Sequence, residues 1–136
     1  MHHLKRSLLV SLLALALTIL LTTTIAQAAG LTGKKWSIVP SPNGTRASYN
    51  ELLDVAAISA SDIWAVGDYY ASRPRVHTLI EHWNGTNWQI VSSPNVGSGD
   101  NFLSGVARVP GGTNLWAVGY SVNSSSHWKT LTEFYG

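Results

Sequence analysis

The chain contains no cysteine in 136 residues, and that absence removes two readings at once. No thiol is present to carry a lipid, so an acylated bacterial lipoprotein is excluded, and no disulfide can staple the fold, so its stability must come from packing and strand pairing. Charge is scarce too. Nine Lys and Arg face seven Asp and Glu, but two of the basic residues, Lys5 and Arg6, lie in a leader-like segment, so the remainder carries seven of each sign. No basic stripe is left for a phosphate backbone, which argues against nucleic acid as a partner. Beyond the first thirty residues no window holds an amphipathic helical stripe. There is no Asp-x-Asp calcium loop, and the five histidines show no metal-ligand spacing; His77 and His82 are an odd number of residues apart on one expected strand and point to opposite faces. The sequence therefore implies no metal and no cofactor.

What is present begins with the leader. Met1-His-His-Leu-Lys5-Arg6 is basic, residues 7–21 are apolar apart from Ser7, Ser11 and Thr18, and Ala26-Gln27-Ala28 is a small-x-small cleavage pattern. Residues 1–28 read as a secretory signal peptide rather than a membrane anchor. An α-helix over residues 8–21 would reach only roughly 21 Å of a ~30 Å hydrocarbon core. This places the protein outside the cytoplasm, secreted or at the cell envelope, with no membrane span after cleavage. A cysteine-free exported chain fits a bacterial protein best.

Residues 29–136 form the second region, and it is a repeat. Trp64-Ala-Val-Gly67 returns as Trp116-Ala-Val-Gly119, 52 residues later. Trp36-Ser-Ile-Val-Pro-Ser-Pro-Asn43 returns at the same spacing as Trp88-Gln-Ile-Val-Ser-Ser-Pro-Asn95, and Thr78-Leu-Ile-Glu-His-Trp83 as Thr130-Leu-Thr-Glu-Phe-Tyr135. Leu52, Val55, Ala56 and Ile58 match Leu103, Val106, Ala107 and Val109 at an offset of 51, and Gly112 restores the 52. Such a period marks a stacked or radial array of supersecondary units, here with landmarks over residues 36–87 and 88–136.

Within one period the apolar residues follow a two-residue beat. Strands are expected over 52–59, 63–70, 77–83 and 88–91, with Asn84-Gly85-Thr86-Asn87 as a hairpin turn. Three segments, at Asn43, Asn84 and Asn123, match the glycosylation acceptor pattern, but they read better as turn chemistry. Four short antiparallel strands per period are the arithmetic of a β-propeller blade. The fold class expected is all-β, with about two four-stranded propeller-type blades and an incomplete ring. The segments Asp-Ile-Trp-Ala-Val-Gly, Thr-Leu-Ile-Glu-His-Trp-Asn-Gly-Thr and Trp-x-Ile-Val-x-Ser-Pro-Asn resemble the repeat of Trp-rich exported bacterial β-propeller proteins, loosely kelch-like. The resemblance covers about residues 36–135 and implies a fold but no particular activity. A copper oxidase of the kelch class is excluded, because its cross-linked cysteine has no counterpart here.

Strand order leaves the second unit without an outer strand and the segment at Trp36 as a spare one. Two resolutions stay open. The spare strand of one chain completes the open unit of the next, three chains giving a six-bladed ring, or the chain is a truncated piece of a longer array.

The candidate site residues follow from which side chains lack a repeat counterpart. Trp36, Trp64, Trp83, Trp88 and Trp116 sit at repeat landmarks and are expected to pack. Trp128 matches Val76 and is the best aromatic for contact. Asp68, Tyr69, Tyr70, Arg73 and Arg75 cluster in what reads as a polar loop at the end of the second strand, on the face where propellers usually bind. Glu81 and Glu133 read as strand-surface or cross-strand pairing residues. No catalytic residue is assigned. The function expected is a non-catalytic interaction module for a protein or glycan ligand. The alternatives are a lectin built from two-blade chains, and a fragment of a larger propeller protein or enzyme.

Overall fold

A computed structural model describes residues 33–71 and 75–136. The expected signal peptide and Arg73 lie outside the described residues. No helix occurs among the described residues, and every strand belongs to one compact unit, Val39–Gly136. The protein is all-β, in two antiparallel sheets. The first has four strands in sequence order, β1 (Ala47–Ser59), β2 (Asp62–Ala71), β3 (Val76–Trp83) and β4 (Trp88–Val91); the second has three, β5 (Asp100–Arg108), β6 (Leu115–Val122) and β7 (Trp128–Tyr135).

Side-chain chemistry closes the turns. Asn84 Oδ1 accepts the amides of Thr86 (3.0 Å) and Asn87 (3.1 Å), with Gly85 at φ 93°. Asn123 Oδ1 likewise accepts the amides of Ser125 and His127, both at 3.0 Å. These asparagines fold the backbone onto their own side chains, as turn residues do. Asn50 and Asn101 pin the segments that lead into each sheet. Asn50 Oδ1 accepts the Gly44 amide at 2.7 Å, and Asn101 Oδ1 accepts the Val96 amide at 2.9 Å.

The two sheets carry the same irregularity. The β1–β2 register shifts between Leu52 and Asp54, and the β5–β6 register shifts between Leu103 and Gly105. Each shift leaves one extra residue, Leu53 or Ser104, as a β-bulge. The glycine that ends each Trp-Ala-Val-Gly faces that region. A Cβ on Gly67 would collide with the Glu51 carbonyl oxygen, and one on Gly119 with that of Phe102. The repeated glycine is therefore a requirement of close backbone approach.

The second sheet lays its first strand, β5, against β1, β2 and β3. Val66 from the first sheet and Leu103, Ala117 and Leu131 from the second form the buried cluster, with Ile80 and Val106 packed against it. Each fully buried aliphatic chain contributes about 1.5–3 kcal/mol. Polar groups tie the junction together. The Val106 amide donates to Asp54 Oδ2 (2.8 Å), and Arg108 Nη1 to the Ile58 carbonyl (3.2 Å).

Four sequence expectations need correction. Residues 34–44 carry no strand, so the segment at Trp36 is not a spare strand in the folded chain. β2 runs to Ala71, so Asp68, Tyr69 and Tyr70 lie on the strand, as the expected span 63–70 has it, and not in the loop after it; Trp128 is the first residue of β7. Trp64 is buried at 5% exposure, but its counterpart Trp116 is 48% exposed, because none of the described residues covers that face of the second sheet. Glu81 is buried and Glu133 half-buried, and both work at junctions between segments. Ser93 Oγ donates to the Glu133 carboxylate at 2.9 and 3.1 Å while lying 2.7 Å from Thr78 Oγ1, so a Thr–Ser–Glu chain crosses from one sheet to the other.

Candidate functional site

At the end of the sheets where β2 turns toward β3, a cleft of about 340 Å3 is lined by Tyr49, Glu51, Leu53, Asp68, Tyr70, Val76, Phe102, Ser104 and Tyr120. The strand register builds it. Tyr49 pairs with Tyr70 and Glu51 with Asp68 across β1 and β2, so two tyrosines and two carboxylates share one face. In the second sheet Phe102 pairs with Tyr120. Both bulged residues, Leu53 and Ser104, line the cleft, an instance of bulges re-aiming side chains beside a site. The Val76 amide donates to Asp100 Oδ1 at 2.9 Å and joins the two sheets at the rim.

Electrostatics set the cleft apart. Among the described residues that line it there is no Lys, Arg or His, yet Asp68 is buried at 5% exposure with no side-chain hydrogen bond to any of the described residues. Burial, and then the facing Glu51 carboxylate, raise the Asp68 pKa to about 6. Glu51 Oε2 accepts the Tyr49 hydroxyl at 2.6 Å, and this bond, ahead of burial and neighbouring carboxylates, raises the Tyr49 pKa. Like charges directly opposite each other on a sheet destabilise it, so the Glu51–Asp68 pair is a local cost of the fold. The aromatic side extends outward. Phe102 stacks on Tyr120 with ring centroids 4.6 Å apart, and Tyr120 stacks on Trp128, also at 4.6 Å.

Of the residues singled out from sequence, Tyr70 lines the cleft, and Trp128 reaches it through Tyr120. Tyr69, one residue earlier on β2, takes the other face, stacks on His77 at 5.4 Å and lies over Gly44. Arg75 is half-buried just before β3 and is not among the lining residues. Glu51 is missed by the sequence reading, and Asp68 enters it only as a member of the polar cluster with Tyr69 and Arg73, although the sequence carries a signal for both. At these two positions the repeat changes chemistry, to Phe102 and Tyr120 in the second sheet. Here two acidic residues of the first unit give way to two aromatic residues in the second.

Comparison of the chain with protein-family models, with curated proteins and with solved structures returns no match. The cleft has to be judged by its own chemistry. No three His, Asp or Glu side chains converge as metal ligands among the described residues. The cleft offers carboxyl acceptors, hydroxyl groups and aromatic faces.

A second hollow, about 310 Å3, lies between the sheets and is lined by Trp64, Val66, Val106, Ala117, Phe134 and Tyr135 among others. Trp64 contacts Tyr135 there with ring centroids 4.3 Å apart, and stacks on His82 at the same distance. Its polar anchor is Asp62 Oδ1, which takes the Trp64 indole N–H at 2.8 Å and lies 2.9 Å from His82 Nε2. This hollow belongs to the packing between sheets.

Proposed function

We propose that the chain is a two-blade β-propeller unit acting as a non-catalytic interaction module outside the cytoplasm or at the cell envelope. Its cleft would hold a basic side chain of a partner protein. The blade reading is supported by repeat-matched sheets of four and three strands, stacked with the first strand of the second sheet against the first sheet. Export is supported by the leader pattern of residues 1–28.

The single observation that carries the ligand reading is the Glu51–Asp68 carboxylate pair set among tyrosines, with no basic side chain among the described residues that line the cleft. A guanidinium or ammonium group would relieve the repulsion between the carboxylates. It would also lie against aromatic faces, worth about 0.5–2 kcal/mol per cation–π contact. A glycan is the second reading, favoured by the Phe102–Tyr120–Trp128 stack. Sugar hydroxyls also donate to carboxylates, and sugar rings lie on aromatic faces.

Calorimetric titration of the full chain with arginine- and lysine-containing peptides tests the first reading. Binding is expected above the Asp68 pKa and should weaken as pH falls through about 6, when Asp68 takes up a proton. Asp68→Asn should abolish it, and Trp128→Ala should weaken it without lowering the melting temperature. If basic peptides do not bind and an array of glycans is retained through Trp128, the lectin reading replaces it. No binding of either kind removes the cleft as a ligand site.

A further inference from the structure

Within the chain, the junction between the two sheets is complete on one side only. Thr78 of β3 is buried: its amide donates to Asn95 Oδ1 at 3.1 Å, and its hydroxyl meets Ser93. Thr130 holds the matching position on β7 and is exposed. Val66 is 1% exposed and its counterpart Val118 48%; Leu103 is fully buried and its counterpart Leu52 41% exposed. The outward face of the second sheet thus presents Trp116, Val118 and Phe134, while the first sheet presents Leu52 and Val55, the counterparts of residues that pack on Val66. One end of the molecule carries the socket and the other carries the matching plug.

The segment that would close the socket is also on the chain. β4 pairs with β3 through Ile80↔Val91, Glu81↔Ile90, His82↔Gln89 and Trp83↔Trp88. Its repeat counterpart, Trp36-Ser37-Ile38-Val39, carries the same Trp-x-Ile-Val pattern and forms no strand. After β4 the chain crosses to the second sheet, where Ser93 bonds Glu133. After Val39, Ser41 lies beside Glu81 in the same relation and lowers a carboxyl pKa that burial raises. Glu81 Oε2 is buried with no hydrogen-bond partner among the described residues. The Thr–Ser–Glu chain at this first junction lacks the threonine that Thr78 supplies at the second.

We propose that β7 accepts residues 36–39 of a second copy as a fourth strand, in the register Thr132↔Val39, Glu133↔Ile38, Phe134↔Ser37 and Tyr135↔Trp36. Ser41 and Asn43 of the incoming copy then meet Thr130, as Ser93 and Asn95 meet Thr78. Leu52 and Val55 cover Val118, as Leu103 and Val106 cover Val66. One bond of the internal junction is not reproduced. Gly105 stands where Asp54 does, so the incoming Val55 amide keeps its own Asp54 Oδ1 (2.9 Å) as acceptor. The contact is heterologous, so it propagates until a ring closes or a filament grows.

The chain has no native cysteine, which allows a clean cross-linking test. Full-length Ser37→Cys and Phe134→Cys are mixed and oxidised, with Ser37→Cys plus Thr130→Cys as the register control. Directly opposed residues have Cβ atoms about 4.5–5.5 Å apart, close enough for a disulfide, whereas a four-residue offset adds roughly 14 Å. The first mixture should give a disulfide-linked heterodimer and the second none. Equal yields in both mixtures, or a dimer in neither, would overturn the proposal. Circular dichroism of each variant checks that it keeps the parental β-signal. Independently, sedimentation of the unsubstituted chain should show mass rising with concentration, and a monomer at every concentration overturns the proposal without any variant.

Discussion

The two sheets are built from one repeated sequence, yet the same residue types are buried in the first and bare in the second. Trp64 lies against His82 and against Tyr135 of the neighbouring sheet, whereas the one ring beside Trp116 among the described residues is Phe134 of its own sheet, at 4.8 Å, and Trp116 stays half-exposed. Val66 and Val118 differ in the same way, as do Thr78 and Thr130. The residue supplies the capacity to pack, and the neighbouring sheet supplies the burial. A repeat unit is therefore stable in proportion to the faces that its neighbours cover.

The largest break in this comparison comes from truncating the paired tryptophans. Trp64→Ala removes a buried aromatic and should cost about 3–5 kcal/mol, a large share of the ~5–15 kcal/mol that holds a domain of this size. Trp116→Ala removes a half-exposed ring and should cost no more than about half as much in dilute solution. Urea unfolding of the two variants measures the difference. Equal losses would mean that the outward face of the second sheet is covered in the monomer.

A smaller effect sharpens the comparison at the cleft, where the sheets differ in chemistry as well as burial. Asp68 has a folded pKa of about 6 against an ordinary 3.8, so the folded state holds its proton more tightly than the unfolded chain does. The stability this group contributes is fully present below pH 3.8 and is lost as pH rises through about 6. Asp68→Asn should flatten the decline in melting temperature across that window. Tyr120→Phe, at the matching position of the second sheet, should leave the decline in place. Unchanged slopes in Asp68→Asn would show that Glu51 does not face a buried carboxylate.

Much of this architecture was legible in the sequence, for physical reasons. The 52-residue spacing of Trp-Ala-Val-Gly and the two-residue beat reflect strand periodicity, which is local, and the strands lie within a few residues of where these signals put them. Asn84 and Asn123 were readable as turn residues because an Asx turn needs only neighbours. What was not legible depends on partners distant in the chain. Whether Trp116 is buried depends on what lies against the outward face of its sheet, which no local pattern in the chain encodes. That Glu133 is a junction residue depends on Ser93, forty residues earlier. Strand β1 begins at Ala47 instead of at the expected Leu52, and this earlier start is what brings Glu51 opposite Asp68. Departure from the repeat, the criterion that singled out Trp128, would have found Glu51 and Asp68 had it been applied to charge as well as to aromatics.

The central claim is that two repeat-matched sheets are held together by a shared core, and a double-mutant cycle on Val66 and Leu103 tests it most directly. These residues lie in different sheets and in one buried cluster. With Val66→Ala, Leu103→Ala and the double variant unfolded in urea, the account predicts a coupling energy of about 0.5–3 kcal/mol, as for side chains in contact. Losses that add to within ~0.3–0.5 kcal/mol, as for independent sites, would contradict the packing of the sheets on each other.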